Sequence, residues 1–285
     1  MDYKTYENQL MENYKYNPID IEIGFYALCS YQPQAWNYVF ESVRKYYPNE
    51  PIILFNDGID QYDYSEIAKK YNCIYIKKDR NICLLWNNLE DAYEFLSRTS
   101  EACKILEKYN KEWIIHLHPD VICNGKISYY PPGYLCGVSA GSNTGKSNNN
   151  FNNSPEWKNI ETYIINLHPN LEINGWGWCG GSIMNIPIFN KVYENVLKSD
   201  ETYKLETLAK IYKESVKYED TMIPILFMIN GFYYRIWKDN PEYHRGEQKG
   251  AFLHGYKEHY DFKKAQLSLE DFNKLRIMQA NPLVK

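Results

Sequence analysis

The chain has 285 residues, 44% hydrophobic and 24% charged, enough to bury a core as one large domain or two small ones. Its net charge of −4 gives no global basic field to draw it to nucleic acid, so an anionic ligand has to be held by a metal and local cations. The longest apolar runs, such as Ile223 to Ile229, are far too short to span a bilayer.

Seven cysteines, odd in number and without a Cys-x-x-Cys pair, read as reduced thiols in a cytoplasmic compartment. Residues 1–20 read as a polar, tyrosine-rich N-terminal extension with no signal-peptide h-region. The chain's 28 tyrosines carry no functional weight, because Tyr, Asn, Lys and Ile are all encoded by A/T-rich codons.

Ile21 to Ser30 is the first predicted strand, followed by a helix over Gln34 to Tyr47 in which Trp36, Val39, Phe40 and Val43 recur at helical spacing. Pro51 to Phe55 is a second strand, closed by the turn signal Asn56-Asp57-Gly58. Ser65 to Tyr71 is a short helix and Cys73 to Lys77 a third strand. Leu89 to Tyr109 carries a long helical stripe into the strand beginning at Trp113. Strands alternating with helices predict an α/β protein with a mostly parallel sheet covered on both faces.

Tyr134 to Val138 is one more strand, and Gly141 to Asn150 is loop by composition. The second half mixes helices (Ile186 to Lys198, Thr202 to Val216, Asp220 to Asn230) with short strands around Phe232 to Trp237; Ser268 caps a last helix. No repeat and no Pro/Gly/Ser linker divides the chain, which favours one compact domain. Ala140 to Ser147 satisfies a loose phosphate-loop pattern. Asn148 to Pro155 beyond it is poor helix material, whereas a working phosphate loop runs straight into a helix.

Four motifs carry the chemistry. The strand Trp113-Ile-Ile-His-Leu-His-Pro-Asp-Val121 stops at a proline and presents His118 and Asp120 at its carboxyl end, where open α/β sheets bind ligands. A carboxylate suits a hard divalent cation, an imidazole a transition metal; the bland reading is a surface turn. Asn174-Gly-Trp-Gly-Trp-Cys-Gly-Gly-Ser182 has four glycines in seven residues, Gly180 and Gly181 among them, which let backbone approach a ligand closely. In it the indoles of Trp176 and Trp178 offer flat faces to a sugar ring; a tight turn with Trp in the core is the competing reading. Tyr218-Glu219-Asp220 heads an apolar helix, where Asp220 serves either as a cap or as a general base aimed into a cleft. In Phe252-Leu-His254-Gly-Tyr-Lys257, His254 is a candidate third metal ligand, with Lys257 placed for phosphate oxygens.

This succession resembles the GT-A glycosyltransferases over roughly Ile21 to Lys257. The resemblance implies a Rossmann-like GT-A fold, a mostly parallel mixed central sheet with helices on both faces. It implies one catalytic domain over 21–285, with a nucleotide-binding half (21–125) and an acceptor-binding half (126–285). The family's metal motif is usually Asp-x-Asp; here its first position is His118. By resemblance His118, Asp120 and His254 hold a divalent metal, Mn2+ or Mg2+, and Asp220 is the base of the xED motif beside Glu219, a substrate-binding residue. Ala27, Ser30, Asp57 and Arg80 would line the nucleotide, with Lys257 on its phosphates and Trp86 and Asn87 near the base or sugar. The implied reaction moves a sugar from a nucleotide-diphosphate donor, UDP above others, to a glycan or other hydroxyl acceptor, with inversion if Asp220 is the base. Two alternatives stay open: a nucleotidyltransferase making a sugar nucleotide, and a non-catalytic sugar-binding module. Against the former, Ser30 to Trp36 has no glycine and no basic residue.

Overall fold

The computed structural model describes residues 20–30, 33–57, 63–82, 88–137, 155–171, 173, 177–198, 200–216, 219–241 and 250–254. Strands β1 (Ile23–Cys29), β2 (Ile52–Asp57), β3 (Ile74–Lys78) and β4 (Trp113–Leu117) alternate with helices α1 (Pro33–Tyr46), α2 (Ser65–Lys70) and α3 (Leu89–Glu107). Every residue of β1, β2 and β4 is buried, as parallel strands covered on both faces require. The Asn88 side chain accepts the Asp91 N–H at 3.0 Å and so starts α3.

The seven-stranded sheet has the order β3-β2-β1-β4-β7-β6-β8, with β6 (Leu135–Gly137), β7 (Ile183–Asn185) and β8 (Tyr234–Ile236). β7 runs antiparallel to both β4 and β6, and all other pairings are parallel. The expected mostly parallel mixed sheet is therefore present, and it draws strands from both halves of the chain. Its β3-β2-β1-β4 portion has the doubly wound, Rossmann-like order, in which the chain steps outward from β1 and then returns to β1's other side. The crevice at the carboxyl ends of β1 and β4 is the topological switch point, where such sheets bind ligands.

Both faces are covered. On one, α1, α2 and a ribbon of β5 (Val121–Cys123) and β9 (Phe252–His254) enclose a core including Phe25, Trp36, Phe40, Trp113 and Phe252. On the other, α3 packs with α4 (Pro155–Leu167), α5 (Ile186–Leu197), α6 (Leu205–Ile211) and α7 (Glu219–Ile229) around Tyr26, Phe95, Trp157, Trp178, Phe189 and Phe227. No helix of the described residues is long and apolar enough to cross a membrane.

Several elements differ from the sequence-based expectation. Helix α4 was not foreseen, although Trp157, Ile160 and Ile164 recur at helical spacing and are buried. Thr202 to Val216 is not one helix. It divides into 3-10 turns at Glu201–Tyr203 and Lys213–Val216 around α6, because Lys204 and Tyr212 take extended backbone (ψ 142° and 103°). Asp200 drives the first turn locally by accepting the Thr202 N–H at 2.9 Å. The N-terminal extension up to residue 19, the phosphate-loop pattern, Trp86, Asn87, Trp176, Tyr218, Lys257 and the helix after Ser268 lie outside the described residues.

Asp57 also departs from expectation. β2 continues through Asn56 and Asp57 where a turn was predicted, and Asp57 is fully buried. Its carboxylate pairs with Arg98 of α3, itself buried, and accepts the Ile82 N–H at 3.2 Å. The Asn81 amide donates to the Asp57 carbonyl at 2.8 Å, and Arg98 donates to the Arg80 carbonyl at 2.6 Å. Asp57 thus ties β2 to α3 and is withdrawn from the nucleotide role. Arg98→Leu leaves a buried carboxylate without its cation and is expected to cost about 3–5 kcal/mol. Urea unfolding measures this, and adding Asp57→Asn should recover part of the loss; a midpoint equal to the parent's would show the pair to be unimportant.

Candidate metal centre and neighbouring carboxylates

The site begins where β4 ends. Pro119 has no N–H to continue the ladder, so the chain turns through His118-Pro119-Asp120 into β5, with the His118 carbonyl accepting the Val121 N–H at 3.2 Å. β5 pairs antiparallel with β9 in the register Val121↔His254, which sets His254 beside Asp120. His118 Nδ1 and His254 Nε2 each lie 3.8 Å from Asp120 Oδ1. Ligand atoms of the three residues all lie within 4.8 Å of one another.

Distances of 3.8 Å are too long for hydrogen bonds. Asp120 Oδ1 is buried and has no hydrogen-bond partner, a costly state for a carboxylate oxygen. Two donors each about 2.1 Å from one ion stand at most about 4.2 Å apart. Both 3.8 Å separations from Asp120 fall within that span, so Asp120 can share a divalent cation with either imidazole, and such an ion would satisfy the orphaned oxygen.

Two residues that sequence reasoning missed hold β9 in place. Asp239, buried after β8, accepts the N–H groups of Ser128 (2.7 Å), Tyr129 (2.6 Å) and Ala251 (3.3 Å), and its carbonyl accepts Phe252 N–H at 2.7 Å. Burial raises its carboxyl pKa, with the backbone donors opposing. The Asn240 amide donates to the Gly180 carbonyl at 3.1 Å and to the Phe252 carbonyl at 3.0 Å, joining the ribbon to the glycine-rich loop. The Asp-Asn-Pro sequence at 239–241 is the turn signal that marks this junction.

The glycine-rich loop packs against β4. Gly181 N–H donates to the His116 carbonyl at 2.7 Å, and His116 N–H to the Ser182 carbonyl at 3.0 Å. A Cβ on Gly180 would collide with Val121 Cγ2 and stand 2.5 Å from His118 Cβ, and Gly181 has φ +84°. Gly180 and Gly181 thus let backbone approach His118 and β9, where the sequence reading had it approach a ligand. Trp178 is corrected too. It is fully buried and stacks on His116 (5.6 Å between centroids, 10°), so it presents no face to a sugar. His116 stacks in turn on Tyr26, at 4.6 Å and 18°. Burial, with His118 and His254 nearby, holds the His116 pKa well below its usual value, so that ring is neutral.

Helix α7 brings the acidic pair. Pro224 lacks the N–H that would bond to the carbonyl four residues back, Asp220; Trp178 N–H takes that acceptor at 3.1 Å. The helix start is thereby pinned to the loop, and Glu219 Oε1 lies 3.4 Å from His118 Nε2. Burial disfavours charge on His118, but Glu219 and Asp120 outweigh it and its pKa is raised. Asp220 reaches solvent, yet protein crowds its carboxyl, and desolvation followed by repulsion from Glu219 lifts its pKa to about 6.

The expected nucleotide contacts fare differently. Ala27 is buried in mid-strand, paired with Leu54 and Leu117, and faces the core. Arg80 is ion-paired with Glu90 (2.9 Å) and Asp91 at the start of α3. Both are withdrawn on those grounds. Ser30 directly follows β1, and its buried hydroxyl has no hydrogen-bond partner. The structure thus brings together His118, Asp120, His254 and Glu219, with Asp220 next in sequence. No family model and no curated protein matches this chain.

Gly180→Ala should cost about 1–3 kcal/mol through overpacking and, by displacing His118, weaken Mn2+ binding in calorimetric titration. Unchanged affinity would show that the loop does not support the imidazole. Asp220→Asn should stabilise the metal-free protein near neutral pH. With the folded pKa raised, the penalty is absent below the ordinary carboxylate pKa, grows as pH rises toward about 6 and is complete above it. Discounted for the solvent that reaches the group, the gain is about 1–2 °C in thermal midpoint at pH 7.5 and none at pH 3.5. A lowered midpoint at pH 7.5 would make Asp220 a structural cap.

Proposed function

We propose that this protein is a metal-assisted glycosyltransferase of the GT-A kind, moving a sugar from a nucleotide-diphosphate donor, UDP first among the candidates, to a hydroxyl acceptor. The observation that carries the proposal is the orphaned Asp120 oxygen faced by two imidazoles at the switch-point crevice, with Glu219 and Asp220 beside it. His118, Asp120 and His254 would hold a divalent ion, which supplies Lewis acidity toward a leaving diphosphate.

The protein's own groups do the rest. Asp220 accepts the acceptor hydroxyl's proton at its carboxylate as that oxygen attacks the anomeric carbon, and direct displacement of this kind inverts the sugar. Its pKa of about 6 in the metal-free protein, which a bound cation would lower, leaves Asp220 ionised at neutral pH. Help of this kind is typically worth about 10²–10⁴ in rate. With Asp57 and Arg80 paired within the protein and Ala27 and Ser30 buried, the metal ligands remain as the described contacts for the donor.

The test is release of UDP from a panel of UDP-sugars, with and without Mn2+. Release is expected to need the metal, to be lost in Asp120→Ala, and to fall at least a hundredfold in Asp220→Asn with UDP binding intact. Equal release in chelator, or an Asp220→Asn variant that turns over normally, would overturn the proposal.

A further inference from the structure

Each ring nitrogen of His118 faces a different carboxylate, Nδ1 toward Asp120 at 3.8 Å and Nε2 toward Glu219 at 3.4 Å. The two carboxylates are not equivalent. Asp120 Oδ1 is shared with His254 and has no hydrogen-bond partner, whereas Glu219 belongs to the first turn of α7. A ligating imidazole is neutral, and its remaining N–H points at an acceptor that fixes the tautomer and raises the ligand's basicity. The ring has little room to turn. Gly180 backs its Cβ, and His116 meets it edge-on, with centroids 4.7 Å apart and planes at 74°.

We propose that Glu219 is a positioning residue for the metal centre: it holds the proton of His118 on Nε2, so that Nδ1 is presented as the ligating atom. This rests on the metal reading given above. An imidazole in this place brings no charge of its own, and Glu219 supplies the missing negative charge one bond shell out. Because Glu219 adjoins Asp220, the metal centre and the proposed base are joined through a single peptide at the start of α7. Two imidazoles and one carboxylate also favour Co2+, Zn2+ and Mn2+ over Mg2+ and Ca2+, which prefer all-oxygen shells.

Co2+ titration, followed by calorimetry and visible absorption, separates the outcomes. Glu219→Ala is expected to weaken Co2+ binding about 10–100-fold, Glu219→Gln less, because the amide oxygen still accepts from Nε2–H. Asp120→Ala should abolish binding. In the Zn2+-loaded wild type, ¹⁵N shifts should show His118 metal-bound at Nδ1 and protonated at Nε2. Co2+ affinity in Glu219→Ala within twofold of wild type would overturn the positioning role while leaving the metal reading intact. So would a loss in Glu219→Gln as large as in Asp120→Ala, which would make Glu219 a ligand. A wild type that binds no Co2+ would overturn the metal reading, and this inference with it.

Discussion

The reversal of β7 is the constraint on which the site depends. Every other strand pair in the seven-stranded sheet is parallel, so the segment entering such a strand lies at the opposite end from the ligand crevice. Because β7 runs antiparallel to β4, the residues entering it arrive instead at β4's carboxyl end. That geometry lets Gly181 and Ser182 exchange backbone hydrogen bonds with His116, and it presses Gly180 against His118. A side chain at Gly180 cannot be accommodated there without displacing the imidazole or Val121. The tight loop and the candidate ligand are one packing problem.

Two further attachments complete the site, and each follows from where backbone groups find partners. β5 and β9 form a ribbon too small to stand alone, and Asp239 and Asn240 anchor it through buried hydrogen bonds to Ser128, Tyr129, Gly180 and Phe252. At α7, Pro224 withholds one N–H, and the freed Asp220 carbonyl becomes the dock for Trp178. Beside these attachments Asp120 Oδ1 has no partner, nor do His116 Nδ1, Trp178 Nε1 and the Tyr26 hydroxyl, and the Asp220 carboxyl is hard to ionise. Local costs gathered in one region are what a functional site looks like in physical terms.

Legibility in the sequence followed the range of the interactions. The alternation of β1 to β4 with α1 to α3 was readable because strands and helices there are long enough to show a period. β5, β7 and β9, three residues each, have none to show; β6 and β8 are as short but sit within longer apolar runs that were read as strands. His118, Asp120, Glu219 and His254 were found by residue type and order, and the structure brings them together. Asp57 was misread because the residue that buries it, Arg98, lies 41 positions further on and makes no local pattern with it. Trp178 and the glycines were misread for a related reason. A Gly-Trp loop looks the same in sequence whether its indole faces a ligand or stacks on a buried histidine.

The charge around the crevice bears on the proposed reaction. Asp120, Glu219 and Asp220 put three carboxylates near one another; His116 is neutral, and His118 between two of them has its pKa raised. A second aspartate in the place of His118 would add a fourth carboxylate. A ring that ligates without charge keeps the anionic crowding to three groups, one of which, Glu219, is turned toward that ring. A divalent cation then offsets most of what remains. In the proposed reaction a bound cation would also pull down the raised pKa of Asp220.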